Sequence, residues 1–230
     1  LVTGGGRGIG AGIAELLSAH GATVVIADID FAAARAQAEK LEGKGYAVAI
    51  DLASETSIVR GCNEVIEQFG SPWLLVNNAA LLDRELLLDG TADQWDRSLA
   101  INARGPFLMS REIARAMVHA GKGGRIVHVA SASIIGSITR GHAAYASSKA
   151  ALQGLMRASA LELAEYGITV NLVLPGGVAT PGAIASKGPP PEGPACRSPP
   201  LGMCEPGDIA HAVLLFALPG AARITNQSVA

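Results

Sequence analysis

The sequence predicts a three-layer α/β protein built on one doubly wound parallel sheet. Three observations carry that expectation. Strand-type and helix-type periodicities alternate along the whole chain. The strand segments are continuous apolar runs, such as residues 22–27 (ATVVIA), as in strands covered on both faces. Glycine is abundant, 28 of 230 residues, which suits many tight strand–helix turns. The length suits one domain spanning 1–230.

Taken in order, residues 1–3 are the stub of a strand, and residues 10–19 place Ile13, Leu16 and Leu17 on a helical stripe. Residues 22–27 form a strand, 31–41 a helix closed by Gly43, and 46–50 a strand. Residues 54–69 form a helix that Ser54 can cap and Gly70-Ser71-Pro72 ends. Residues 73–76 are a strand. Residues 91–120 carry a long helical pattern interrupted at Gly105-Pro106. Residues 125–130 (RIVHVA) are a strand, 145–165 a helix and 168–173 the sixth strand. Prolines 189, 190, 191, 194, 199 and 200 forbid regular structure nearby, so residues 183–203 read as a surface loop and substrate lid. Residues 206–218 form the last helix.

Composition excludes several classes. With 17% charged residues and a mean hydropathy of +0.32, the chain is too apolar to be disordered. Its apolar stretches are too short to span a membrane, and no signal segment opens it. A net charge of −2 without a basic stripe argues against nucleic acid as the main partner. Cys62, Cys196 and Cys204 match no zinc spacing, so no metal is expected. They read as reduced thiols of a cytoplasmic protein.

The first strand runs into Thr3-Gly4-Gly5-Gly6-Arg7-Gly8-Ile9-Gly10, which opens a helix. Glycines at 4, 8 and 10 let the turn tighten and let backbone amides approach a pyrophosphate. Elsewhere such a cluster is an ordinary flexible loop; between a strand and a helix it points to a dinucleotide. Asp28 closes the second strand, where a carboxylate can accept bonds from an adenosine ribose and repel a 2′-phosphate. That favours NAD over NADP. Arg7 pulls the other way, since a guanidinium in the turn can hold a phosphate.

Further on, Tyr145 and Lys149 stand one turn apart on a helix, Ser131 directly follows a strand, and Asn102 lies in the long helical pattern. With these residues in view the chain resembles the short-chain dehydrogenase/reductase family, in the group of about this length. The resemblance covers essentially the whole chain. It rests on TGGGRGIG (residues 3–10), Asp28, Asp51-Leu52, NNAA (77–80), Asn102, Ser131, YASSK (145–149) and PGGVATP (175–181), in that order.

The resemblance implies a single Rossmann-type domain with seven parallel strands and a catalytic set of Asn102, Ser131, Tyr145 and Lys149. Tyr145 would be the general acid/base, its phenol lowered by the neighbouring ammonium of Lys149 and by the positive nicotinamide ring. Lys149 would also bond the nicotinamide ribose, Ser131 would hold the substrate oxygen, and Asn102 would position a water in a proton relay to Lys149. Cofactor contacts are implied for Gly4, Arg7, Gly8, Ile9 and Gly10 of the turn. Beyond the turn, Asp51 would bond the adenine amino group beside Leu52, and Asn78 and Ala79 would lie beside the adenosine ribose. Thr180 would meet the carboxamide, in a loop with Pro175, Gly176 and Val178.

The pattern is departed from in three places. Ala80 stands where the family has glycine. Ser131 precedes Tyr145 by one residue more than the usual spacing and Ser133 by one less, which makes Ser133 a rival. Both ends look trimmed: the first strand lacks its opening residues, and residues 224–230 stop where the family continues to a final strand and turn.

The expected activity is hydride transfer between NAD and a secondary alcohol or its ketone. The alternatives are an NADP-dependent carbonyl or 3-oxoacyl-thioester reductase and, outside enzymes, a dinucleotide-binding regulatory protein. The substrate is not legible; Ile134, Ile135, His142, Gly176 and Gly177 would wall its pocket, and an ordinary loop histidine is the first reading of His142. By resemblance a homotetramer is expected, burying outer positions such as Ala114, Ala151 and Leu155.

Overall fold

The structure is a computed structural model and describes residues 1–41 and 45–230. Its strands are β1 (Val2–Thr3), β2 (Val24–Asp28), β3 (Gly45–Ala49), β4 (Leu74–Asn77), β5 (Gly124–Val129), β6 (Ile168–Val173) and β7 (Ser228–Val229). They form one sheet in the order β3-β2-β1-β4-β5-β6-β7, all pairs parallel. Alternating residues of each central strand feed two separate cores. One face carries Leu75, Ile126, Val170 and Leu172 against Ile58, Met109, Ile113, Leu152 and Met156 of the helices α3 (Glu55–Phe69), α5 (Gly105–Ala120) and α6 (Ala143–Glu162). The other carries Val2, Ile26, Val76 and Val127 against Ile13, Ala34, Val213 and Phe216 of α1 (Gly8–Ala19), α2 (Phe31–Glu39) and α8 (Pro206–Ala217). Burial on both faces is why the strands read as unbroken apolar runs.

Helix starts follow the capping residues. The side chains of Asp30, Ser54 and Thr91 accept from the amides of Ala33, Ser57 and Gln94, opening α2, α3 and α4 (Ala92–Leu99). Strand order reverses direction between β1 and β4, so the loops leaving these two strands diverge and open a crevice at the carboxyl edge of the sheet.

Four expectations change. Residues 224–230 do not stop short of a final strand: β7 pairs with β6 through Leu172 with Ser228 and Val173 with Val229. The long helical pattern is not broken at Gly105-Pro106. Instead α4 runs through a π turn at Ala100–Arg104 into α5, and Pro106, which has no amide hydrogen to give, sits where the π turn shifts the hydrogen-bond registry. The lid is not wholly irregular, since Pro181–Ala185 is a short helix (α7) and Pro194–Cys196 a 3₁₀ turn. Ala114 is buried in its own subunit's core rather than outward. The closing of α2 at Gly43 lies outside the described residues. Among the described residues no helix is long and apolar enough to cross a membrane.

Candidate active site

The glycine turn is held by contacts that leave no room for side chains. Gly4 and Gly8 have φ of 60° and 55°, conformations that a Cβ strains. A Cβ on Gly10 would lie 2.2 Å from the Gly4 carbonyl oxygen, and one on Gly4 would lie 2.7 Å from Ala79 Cα. Asn78 fastens the switch point: its Nδ2 donates to the carbonyls of Thr3 (2.9 Å) and Gly4 (3.2 Å), while Thr3 Oγ1 accepts from the amides of Asn78 and Ala79. Thr3 was missed by sequence reasoning; a hydroxyl ending an apolar strand was its one signal.

The α1 N-terminus has no side-chain cap, so the first amides of that helix, at Gly8, Ile9 and Gly10, face the crevice uncompensated. Thr180 closes the opposite side, its Cβ 3.3 Å from where a Cβ of Gly8 would be, and its Oγ1 accepts from the Ala183 amide to open α7. Val178 is buried beside it, with Pro175 and Gly176 leading in from β6. A glycine cradle under an uncapped helix is a fit for a dinucleotide's pyrophosphate.

At the end of β2, Asp28 Oδ2 accepts from the Gly6 amide at 3.1 Å and Oδ1 from the Asp30 amide at 3.1 Å. The Arg7 guanidinium is bonded to Asp30, which answers its charge. After β3, Asp51 Oδ1 accepts from the Ala53 amide and Leu52 is buried against Gly105.

The catalytic candidates converge at the same edge from β5 and α6. Lys149 is 2% exposed; its Nζ donates to the Val129 carbonyl at 2.8 Å and lies 5.8 Å from the Tyr145 ring centroid. Burial pulls the Lys149 ammonium down to about 7. Burial also pushes the Tyr145 phenol up to about 12, against hydrogen bonding by the Ser131 side chain, which lowers it. The expectation of a lowered phenol is therefore reversed in the protein alone: desolvation of a nearly buried ring outweighs its surroundings. Ser131, rather than Ser133, partners Tyr145. Its Oγ accepts from the Ser133 amide, while Ser133 Oγ is buried without a partner.

Asn102 sits fully buried in the π turn. Its Oδ1 accepts from the Leu81 amide (2.7 Å), and its Nδ2 donates to the Leu81 carbonyl (2.9 Å) and to Ser148 Oγ (3.1 Å). Ser148 Oγ donates in turn to the Tyr145 carbonyl (2.7 Å). The Asn102 amide is thus a strut between the loop after β4 and α6. Ser148 escaped notice because serine on a helix carries no pattern. His128 also escaped: it is fully buried on β5, with Nδ1 3.2 Å from Asn77 Nδ2, and burial and the Lys149 charge push its imidazole down to about 3. A polar residue inside RIVHVA was its signal. His142 packs its ring on Tyr145, centroids 4.9 Å apart.

The arrangement presents a phenol and a hydroxyl to one point, a buried amine behind them and a dinucleotide cradle alongside. A family model for the short chain dehydrogenases matches residues 1–188. The chain is a short-chain dehydrogenase. This dehydrogenase is 40% identical over 179 residues to a sorbitol dehydrogenase of Cereibacter sphaeroides, covering 76% of this chain and 68% of that one. It is 40% identical over 191 residues to a trans-4-hydroxycyclohexanecarboxylate dehydrogenase of Sinomonas cyclohexanicum, covering 79% and 72%. The crystal structure of a 3-ketoacyl-(acyl-carrier-protein) reductase from Brucella melitensis, complexed with NADH, superposes with a TM-score of 0.90 at 29% identity over 99% of this chain and 93% of that one. As a member of the family, the protein is an oxidoreductase that transfers hydride between a nicotinamide dinucleotide and an alcohol or ketone.

Proposed function

We propose that this short-chain dehydrogenase is an NAD-dependent enzyme of the cytoplasm, working as a homotetramer on a secondary alcohol or its ketone. The Asp28 carboxylate carries the NAD reading. Two backbone amides fix it at the end of β2. A 2′-phosphate brought there meets a held negative charge, while Arg7, the group that would welcome it, is already paired with Asp30. Three free cysteines suit a reducing compartment.

The cofactor supplies or accepts the hydride when bound, and its positive oxidised ring favours the phenolate of Tyr145. Tyr145 moves the proton at the substrate oxygen, which Ser131 Oγ holds. Lys149, anchored on the Val129 carbonyl, holds the ribose and accepts the relayed proton. The lid excludes water from the phenol. The dehydrogenase of a cyclic hydroxy acid and the sorbitol dehydrogenase support a secondary alcohol as the substrate.

Calorimetric titration of NAD and NADP tests the reading, followed by turnover of polyols, cyclic hydroxy acids and 3-oxoacyl thioesters. NAD should bind at least tenfold tighter, a difference of about 1.4 kcal/mol. Asp28→Ala should narrow the gap. Tighter binding of NADP would overturn the assignment and favour the thioester reductase reading.

A further inference from the structure

Packed against Gly141, next to His142 at the start of α6, is a cation that the reaction described above does not use. Arg84 lies in the extended stretch after β4, half-buried. Its neighbours in sequence, Asp83 and Glu85, line a cavity of about 450 Å³ together with Leu86, Trp95 and Ala143. Arg84 is turned toward the lid instead: Nε donates to the Pro189 carbonyl (2.9 Å) and Nη1 to Ser186 Oγ (2.7 Å). Both acceptors are neutral. Among the described residues no carboxylate lies within 4.0 Å of this guanidinium. The local acids are otherwise engaged: Asp83 accepts from the Lys187 amide, Glu85 from Gln94 Nε2, and Glu192 pairs with Arg140.

A guanidinium stays charged at any working pH, so a half-buried one facing only neutral oxygens is undercompensated. His142 links it to the chemistry. The His142 ring packs on Tyr145, its Nε2 is buried without a partner, and its imidazole is held below the usual value by burial and then by the Arg84 charge. We infer that Arg84 receives an oxyanion, a carboxylate or a phosphate, carried by the alcohol or ketone substrate whose oxygen sits at Tyr145. The bonds to Ser186 and Pro189 set the lid over that anion. This inference rests on the hydride-transfer reading.

The test compares matched pairs: 3-hydroxybutanoate against its methyl ester for a carboxylate, and glycerol 3-phosphate against glycerol for a phosphate. Each is run as kcat/KM for oxidation and, separately, as calorimetric binding to the NADH-loaded enzyme. An alcohol and the reduced cofactor do not react, so binding is read even if turnover fails. The enzyme should prefer one anion over its neutral counterpart by roughly 10- to 100-fold, the worth of a hydrogen bond to a charged group. Arg84→Met should bring that ratio close to one, and Arg84→Lys should keep part of it, since it retains the charge and loses the fork. Equal losses on anion and neutral partner would make Arg84 only a fastener of the lid and overturn the inference, as would a native enzyme with no anion preference in either measurement. Anion-selective binding without any turnover would uphold Arg84 as the anion site and count against the secondary-alcohol reading of the substrate.

Discussion

The two halves of the crevice are built on opposite plans. On the cofactor side, added Cβ atoms at Gly4, Gly5 and Gly10 would each come within 2.8 Å of another atom, and Thr3 and Asn78 tie the turn to the end of β4. On the substrate side, backbone bonds from Arg84 to Lys187 and from Arg140 to Glu192, with side-chain arms from the same two arginines, fasten a lid that leaves Ile184 and Leu201 in solvent. The first half is close-packed backbone with one solution. The second is a strap fastened at separated points and open to solvent between them. A shared cofactor needs the first plan; a substrate that differs from one relative to the next is served by the second.

The largest expected effect falls where the halves meet. Tyr145→Phe should lower single-turnover hydride transfer by about 10²–10⁴-fold while leaving NAD affinity within experimental error, because the ring packing stays and only the hydroxyl is lost. Lys149→Ala should cost both turnover and cofactor affinity. A Phe variant with near-normal rates would remove the Tyr145 hydroxyl from the chemistry and leave the proton to another group.

Breaking the rigid half comes next. Gly10→Ala puts a methyl 2.2 Å from a carbonyl oxygen that cannot swing aside. Urea unfolding should show a loss of about 3 kcal/mol, with NAD binding lost alongside. Loss of binding without loss of stability would mean that the cradle is softer than its packing indicates.

Acid should act through the buried core beneath the site. His128, pushed down to about 3, takes up its proton in the folded state only below the range where the unfolded chain has already bound one. Stability from this group is therefore full above about pH 6.5 and falls as pH drops toward 3, by a few kcal/mol in all. Lys149 works in a higher window. Lowered to about 7, it is destabilising below that pH, and the penalty is relieved as pH rises toward 10.5. Tyr145, raised to about 12, loses stability between pH 10 and 12. Urea unfolding across pH 4–11 reads all three, and His128→Asn should flatten the acid limb alone.

The smallest effect belongs to the strap. Arg140 and Glu192 form an exposed ion pair, so Arg140→Ala should move Tm by about 1–2 °C at most while raising KM. A large drop in Tm would show the lid to be part of the folding core.

The rigid half was legible in sequence because its demands are local. A glycine at φ 60° and an acid ending a strand are written at single positions. The substrate half was not, for a physical reason: Arg84 meets Pro189 across 105 residues, and no local pattern announces such a contact. The phenol's direction was also illegible, since it depends on how completely the ring is buried. The π turn was hidden for a third reason. A proline one residue after a glycine reads as a break, and only hydrogen-bond registry shows that the chain continues helically around it.

That π turn makes the chain's length, and not only its chemistry, part of the site. A π turn accommodates one residue more than an α turn, so deleting any single residue of 100–104 would let the segment relax into ordinary α-helix with no hydrogen bond lost. The helices on either side would keep their register, and only the bulge that carries Asn102 would be lost. Asn102 could no longer reach both Leu81 and Ser148 while Leu108 and Met109 kept their places in the core. The segment behaves as a reading frame in three dimensions: substitutions that keep its count should be borne, and an equally conservative deletion should silence the enzyme.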